Sequence, residues 1–213
     1  MESGHHHHDT GNFSARMEAC GVPARLQEYM IRCTEFHTAP APGILIGAGM
    51  VDYALELLGA APGEKLFAVC ETPKCLPDTL QVIAHSTTGN GRLKVSPIGK
   101  FAMTINRATN DSTAKAVRVY VDQEKLKKFP VIDMWYDNSP KFQKHTMEFQ
   151  LQDKIFQAGR EILSFEWVEV PVSQKQKWTS VTCPSCGENV PDYLLVDGKC
   201  AACNAKPYYK KLT

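Results

Sequence analysis

The last stretch of the chain carries Cys183-Pro-Ser-Cys186 and, thirteen residues further on, Cys200-Ala-Ala-Cys203. No other feature constrains the fold as much. A CxxC pair on a tight turn aims two sulfurs at one point, and four thiolates in a tetrahedron form a zinc site. Gly187 lets the chain turn after the first pair, so that backbone N–H groups face the thiolates. Asp197-Gly198, between the pairs, is a hairpin signal. A segment of about forty residues buries little core of its own, so the metal must hold it together. The alternatives are two disulfides or a redox CxxC, but a redox motif needs one pair beside a βαβ unit rather than two pairs in a short tail. Four cysteines close the site, which makes it architectural rather than catalytic.

The other four of the eight cysteines (Cys20, Cys33, Cys70, Cys75) are scattered through the first third of 213 residues. With 43% hydrophobic and 22% charged residues, the chain is rich enough in apolar side chains to fold without disulfide staples. The expected compartment is therefore a reducing cytoplasm. A net charge of +1, from 24 basic and 23 acidic residues, argues against global attraction to nucleic acid or to an anionic membrane. The apolar runs fall short of the roughly 20 residues that cross a bilayer. No charged n-region with an apolar core opens the chain, so no signal peptide is expected.

Residues 1–16 are small, polar and aperiodic, and His5 to His8 resemble an expression tag or a His-rich leader. Disorder is expected there. Apolar spacing predicts helices over 24–36, 44–58, 76–85 and 146–162, and strands over 65–70, 92–95, 100–106, 115–121 and 165–172. Residues 123–128 read as a short helix or turn, and 135–143 as mostly loop. Mixed order, with neighbouring strands joined by tight turns, predicts an α+β core over 17–172. The lysine-rich stretch after Val172 marks the start of the finger, 173–213.

Several core segments resemble one family. Phe36-His37-Thr-Ala-Pro-Ala-Pro-Gly43 is similar to a Phe-His loop followed by Pro-Gly and a helix. Cys75-Leu-Pro-Asp78-Thr-Leu-Gln81 resembles a Cys-x-x-Asp-Ala-Ile-Gln motif. Thr87-Thr-Gly-Asn-Gly91-Arg-Leu93 with Gly99-Lys100 resembles a Thr-x-Gly-x-Gly-x-Leu turn followed by Gly-Lys. In this order, ahead of a zinc finger, they resemble the FmdE family, the E subunits of formylmethanofuran dehydrogenase. The resemblance implies an α+β core with a treble-clef-type finger, often a homodimer. It also implies association with a molybdenum or tungsten enzyme of one-carbon metabolism in anaerobes. The sequence departs from the family loop, Phe-His-Gly-His-x-Cys-Pro-Gly, by carrying Ala39 and Ala41 where the second histidine and the cysteine stand. The later Gly-Cys-Thr is His85-Ser86-Thr87 here.

His37 and Cys75 are thus the expected core site, as ligands of a second transition metal or as base and nucleophile. His85 is a replacement ligand. Cys75, just before a helix that starts near Pro77, is expected to ionise readily. The alternative readings are a helix cap for His37 and His85, and a small buried thiol for Cys75. Asp78 is either a first-turn residue or an outer partner of the site. Cys70 is expected to be buried, and Glu71 is a weaker candidate ligand. Gly89-Asn-Gly91 through Gly99-Lys100 does not form a phosphate loop, because Lys94 and Phe101 stand where GxxxxGK[ST] needs glycine and a hydroxyl.

Two functions follow. One is a metal-binding accessory protein, partnered by an enzyme, a small ligand or a second copy. The other is a stand-alone thiol- or metal-dependent enzyme acting on a one-carbon or pterin-like substrate. A third, contact with nucleic acid or protein through Pro207-Tyr-Tyr-Lys-Lys211, has less support from the charge balance.

Overall fold

The computed structural model describes residues 10–172, 177–205 and 209. It divides between Val172 and Ser173 into two compact units. His5 to His8, Lys210 and Lys211 lie outside the described residues.

The first unit opens with helix α1 (Thr10–Ala19), so the leader expected over 1–16 is in part folded. Long-range contacts invisible in sequence hold this helix. Met17 is fully buried, Phe13 meets Phe156 edge-on at 5.7 Å, and Arg16 donates to Asp153 at 2.7 Å and to Gln152 at 2.8 Å. Helix α2 (Ala24–His37) buries Leu26, Met30 and Cys33 on one face. It stops at Thr38, which adopts a left-handed conformation. Pro42 then starts α3 (Pro42–Leu58), which Gly59 ends in the same left-handed geometry. Most of α3 is buried, from Gly43 through Ala54.

Strand β1 (Leu66–Cys70) leads through a short loop into α4 (Leu76–Ile83), and α4 returns the chain to β2 (Leu93–Val95). Strands β3 (Ala102–Arg107) and β4 (Thr113–Val121) follow. Next come α5 (Gln123–Leu126), α6 (Pro130–Tyr136) and α7 (Lys144–Ala158), and strand β5 (Leu163–Pro171) closes the unit. The sheet order is β2-β1-β3-β4-β5. The pair β1/β2 is parallel and the other pairs are antiparallel. The α+β class holds. Tight turns do not join all the neighbours, however, because α4 crosses between β1 and β2 and three helices separate β4 from β5.

Two local expectations change. The region read as mostly loop, 135–143, begins inside a helix: α6 takes in Trp135 and Tyr136, after starting at Pro130 and burying Ile132 in a stretch given no element from sequence. The helix expected to reach Ile162 ends at Ala158, where Gly159 (φ 49°) turns the chain into a short 3-10 segment.

One face of the sheet, with Ala68, Cys70, Met103, Ile105, Val117 and Val119, belongs to the apolar core. Helices α2, α3 and α4 pack on one another, and α3 also meets β4. The α3–α4 crossing is close. A Cβ on Gly47 would stand 3.0 Å from both Thr79 Cγ2 and Thr79 Oγ1. This contact fixes the start of α4, and with it Cys75, against the start of α3.

The second unit holds two small hairpins, β6 (Ser180–Thr182) with β7 (Asn189–Pro191), and β8 (Leu195–Val196) with β9 (Lys199–Cys200). A one-turn helix, α8 (Ala201–Asn204), follows. Asp197 and Gly198 both have positive φ, as their hairpin signal predicts. The first cysteine pair lies between β6 and β7. The second opens α8, in the manner of a treble clef.

Candidate functional site

In the finger, the Sγ atoms of Cys183, Cys186, Cys200 and Cys203 all lie within 4.8 Å of one another. Zinc with four sulfurs at ~2.3 Å sets neighbouring sulfurs about 3.8 Å apart, and Cys186 and Cys200 are 3.9 Å apart. All eight cysteines are free thiols. The backbone prepares the site for charge. The Cys200 N–H donates to Cys183 Sγ at 3.4 Å, and Gly187 (φ 77°) allows the turn that closes on the Cys183 carbonyl. The Cys200 N–H, followed by those of Cys186 and Ser185, lowers the Cys183 thiol to about 6. Cys203 is pushed up to about 12, first by its hydrogen bond with Cys200. Four thiolates this close repel one another unless a cation sits among them, so the donor set fits a thiophilic metal.

In the core, His37 ends α2 and Cys75 caps α4. Cys75 has φ 52° and ψ −59°, and the Leu76 N–H donates back to the Lys74 carbonyl at 2.5 Å. This is a γ-turn of the strained hand, rare for a residue with a side chain. It aims Cys75 Sγ at the first turn of α3. There a Cβ on Gly43 would stand 3.0 Å from both Cys75 Cβ and Sγ, so glycine lets the thiol approach without crowding. The sulfur lies 3.9 Å from His37 Nε2. On the far side of the ring, His37 Nδ1 lies 2.7 Å from Asp78 Oδ2, one turn along α4. His37 and Asp78 are about a quarter exposed, at 27% and 29% of their side chains.

The sequence brought His37, Cys75 and Asp78 to notice, and the fold places them in one row. Among the described residues, no third His, Cys, Asp or Glu ligand converges with His37 and Cys75 on one point. The imidazole serves Asp78 with one nitrogen and Cys75 with the other. Among the described residues, the cysteine quartet is the group of three or more His, Cys, Asp or Glu side chains that converge on one point. His85 does not join His37 and Cys75. It stands exposed at φ 51°, where the chain leaves α4, and its carbonyl accepts from Asn90 at 2.9 Å. It lines a recess with Arg25, Arg32 and Glu64 instead. His85 is therefore not a third ligand beside His37 and Cys75.

Three further expectations resolve. Cys75 is harder to ionise than an ordinary thiol, because burial and then the Asp78 charge push it up, with Lys74 opposing. Desolvation outweighs the helix-start effect read from the sequence. Cys70 is fully buried, donates to the Thr72 carbonyl at 3.1 Å and is pushed up to about 11 by burial. Glu71 is no ligand, since Arg118 Nε and Nη2 hold its two carboxylate oxygens at 2.5 and 2.9 Å. Arg118 had no local signal. It lies on β4, and the sheet register alone brings it to Glu71.

Fold and site together define a metal-binding protein with an α+β core and a small four-cysteine finger. The chain belongs to the FmdE family: the model described as "FmdE, Molybdenum formylmethanofuran dehydrogenase operon" matches residues 36–170. Among solved structures, it is similar to a tungsten formylmethanofuran dehydrogenase FmdE-like protein from Syntrophus aciditrophicus. The two are 34% identical, with a TM-score of 0.71, over 87% of this chain and 95% of that one. It is also 30% identical, over 210 residues, to a "probable S-adenosyl-L-methionine-binding protein" of Archaeoglobus fulgidus. That match takes in 90% of this chain but only 56% of the curated relative's length.

Proposed function

We propose that this chain is a zinc-binding accessory protein of the FmdE type. It would serve a molybdenum or tungsten formylmethanofuran dehydrogenase, an enzyme of one-carbon metabolism, in the cytoplasm of an anaerobe. The observation that carries the reading is the convergence of four cysteine sulfurs within 4.8 Å in a chain of this family. Zinc is the metal assigned to that site, and its role there is structural. The core contributes a thiol–imidazole site rather than a second metal. The binding named for the Archaeoglobus relative is not carried over, since nearly half of that protein lies outside the match.

Metal analysis tests the zinc assignment. The sample should lack only residues 1–9, because α1 begins at Thr10 and the histidines before it would bind metal on their own. The expected result is one zinc per chain in the parent, in Cys75→Ala and in His37→Ala, and none in Cys183→Ser. Two metals per parent chain, falling to one in Cys75→Ala, would return the core to the metal sites.

The accessory reading includes a homodimer, as the family resemblance implies. Strand β5 supports it: nine residues long, it ends the sheet order and carries exposed Phe165 and Trp167. Sedimentation equilibrium should give twice the chain mass of 23.7 kDa. A single-chain mass at micromolar concentration would remove the dimer. The +1 charge argues against nucleic acid as a partner. No helix among the described residues is long and apolar enough to cross a membrane.

A further inference from the structure

We propose that Cys75, His37 and Asp78 act as a nucleophile, its base and the residue that orients the base, taking an acyl group from a thioester or similarly activated donor and passing it to water. The geometry carries this. A thiol, an imidazole and a carboxylate stand in that order, with 3.9 Å between Sγ and Nε2 and 2.7 Å between Nδ1 and Oδ2. The spacing matches what a Cys-His-Asp relay needs before substrate arrives. The carboxylate accepts the Nδ1–H, which leaves the Nε2 lone pair facing the thiol.

The backbone supports the same role. Cys75 lies on a strained turn between strand β1 and helix α4, and such a turn presents a nucleophile clear of its own main chain. A cysteine serving only as core filler needs no left-handed φ. The start of α3 also meets the sulfur closely, and a Cβ at residue 43 would crowd it at 3.0 Å. Ala39 and Ala41 offer no metal-binding atom, so nothing from the preceding loop competes for the thiol.

The chemistry closes. As Sγ attacks the acyl carbon, its proton passes to His37 Nε2 and the Sγ–C bond forms. The bond from that carbon to the leaving group breaks, and the leaving group takes the proton from Nε2. Water then attacks the acyl-cysteine, giving its proton to Nε2, and the Sγ–C bond breaks. Nε2 returns the proton to Sγ, which restores the thiol and releases a carboxylic acid. The sum is acyl donor plus water to acid plus protonated leaving group. Because Cys75 resists ionisation, the proton leaves as the bond forms rather than beforehand.

The surroundings select the donor. The cavity of about 240 Å³ between α1, α2 and α7, lined by Phe13, Ile31 and Phe149, does not have Cys75, His37 or Asp78 in its lining. With His37 and Asp78 about a quarter exposed, the site is only partly enclosed and collects little binding energy to spend on an unreactive amide. An acyl group already activated by a good leaving group fits it.

The test uses the full zinc-loaded chain and p-nitrophenyl acetate as acyl donor, with peptide mass mapping to locate the acetyl group. Zinc content is measured on the same sample, so loss of the finger metal is told apart from failure of the core site. The expected result is a burst of one acetyl per chain, on Cys75, at least about tenfold faster than on half-buried Cys20. His37→Gln should slow it by about a hundredfold. Asp78 is a positioning residue: Asp78→Asn should slow acetylation and Asp78→Glu should restore part of it, whereas a purely structural role would treat both alike. Equal rates at Cys75 and Cys20 would overturn the proposal, as would an unchanged rate in folded His37→Gln. The first comparison is made in the wild-type chain and holds even if a variant fails to fold.

Discussion

Chelating the metal, or replacing Cys200 by serine, is expected to unfold residues 177–205 while the core keeps its own melting transition. The expectation follows from what each unit can bury. Among the described residues, the connected apolar core cluster ends at Leu163 and includes none from the finger. The finger buries Cys183 and Cys200, while Tyr193, Leu194 and Val196 stay about half exposed. Two short hairpins and a one-turn helix do not fold on that. Binding of a structural zinc contributes roughly 10–16 kcal/mol to such modules. Two-dimensional NMR would register the loss as collapse of the finger's amide dispersion, reversed on adding zinc. A finger that stays dispersed in excess chelator would show that packing, not metal, holds it.

Glu71→Ala should destabilise the core strongly. Glu71 and Arg118 are largely buried, with 11% and 19% of their side chains exposed, and they pair through two hydrogen bonds. Removing one partner of a buried pair leaves the other charge stranded, at a cost of about 3–5 kcal/mol. Arg118 retains exposed Glu166 at 2.8 Å, so the low end applies. A loss of about 3 kcal/mol lowers the melting temperature of a domain this size by roughly 6–12 °C. Replacing both residues by methionine should recover much of it, because no charge is then left behind. The pair also sets an acid limit. The Arg118 hydrogen bonds hold the Glu71 carboxyl below its ordinary 4.5. Its stabilisation is therefore complete above that value. It fades as the pH falls below 4.5 and is gone once the pH passes the lowered folded-state value. Melting curves between pH 7 and 3 should show Glu71→Ala converging on the parent at the acid end. A constant gap across that range would show that the ion pair is not the cause.

The loop from Glu71 to Cys75 explains why this pair matters beyond stability. The Glu71 N–H donates to the Ala102 carbonyl, and its own carbonyl accepts from Gly99. The chain is thus fixed on both sides four residues before the strained turn. Loosening Glu71 should also loosen the aim of Cys75 at His37.

How much of this was legible in the sequence differs from one element to the next. The finger was fully legible, because its ligands are separated by short, fixed spacings and the turns between them are coded by Gly187 and Asp197-Gly198. Helix α3 was legible from its apolar run and its glycine stop, although Pro42 starts it two residues before the expected Ile44. Helix α1 was not, because it carries weak apolar periodicity and is held by contacts with α7 more than 130 residues away. The core site was legible in its members and illegible in its arrangement. His37, Cys75 and Asp78 were singled out, but so was His85, and nothing local says that the left-handed exit from α4 carries His85 away from the others.

By itself, then, the sequence determined the α+β class, the four-cysteine site and the short list of reactive side chains. Each of these rests on local periodicity, turn chemistry or ligand spacing, which act over a few residues. The tertiary structure decided that Cys75 meets His37 rather than a third ligand, that its thiol is held protonated, and that Glu71 belongs to Arg118. All three depend on desolvation and on which strands and helices become neighbours. Those are set when β1, β4, α2 and α4 pack around α3, and no short stretch of chain encodes them.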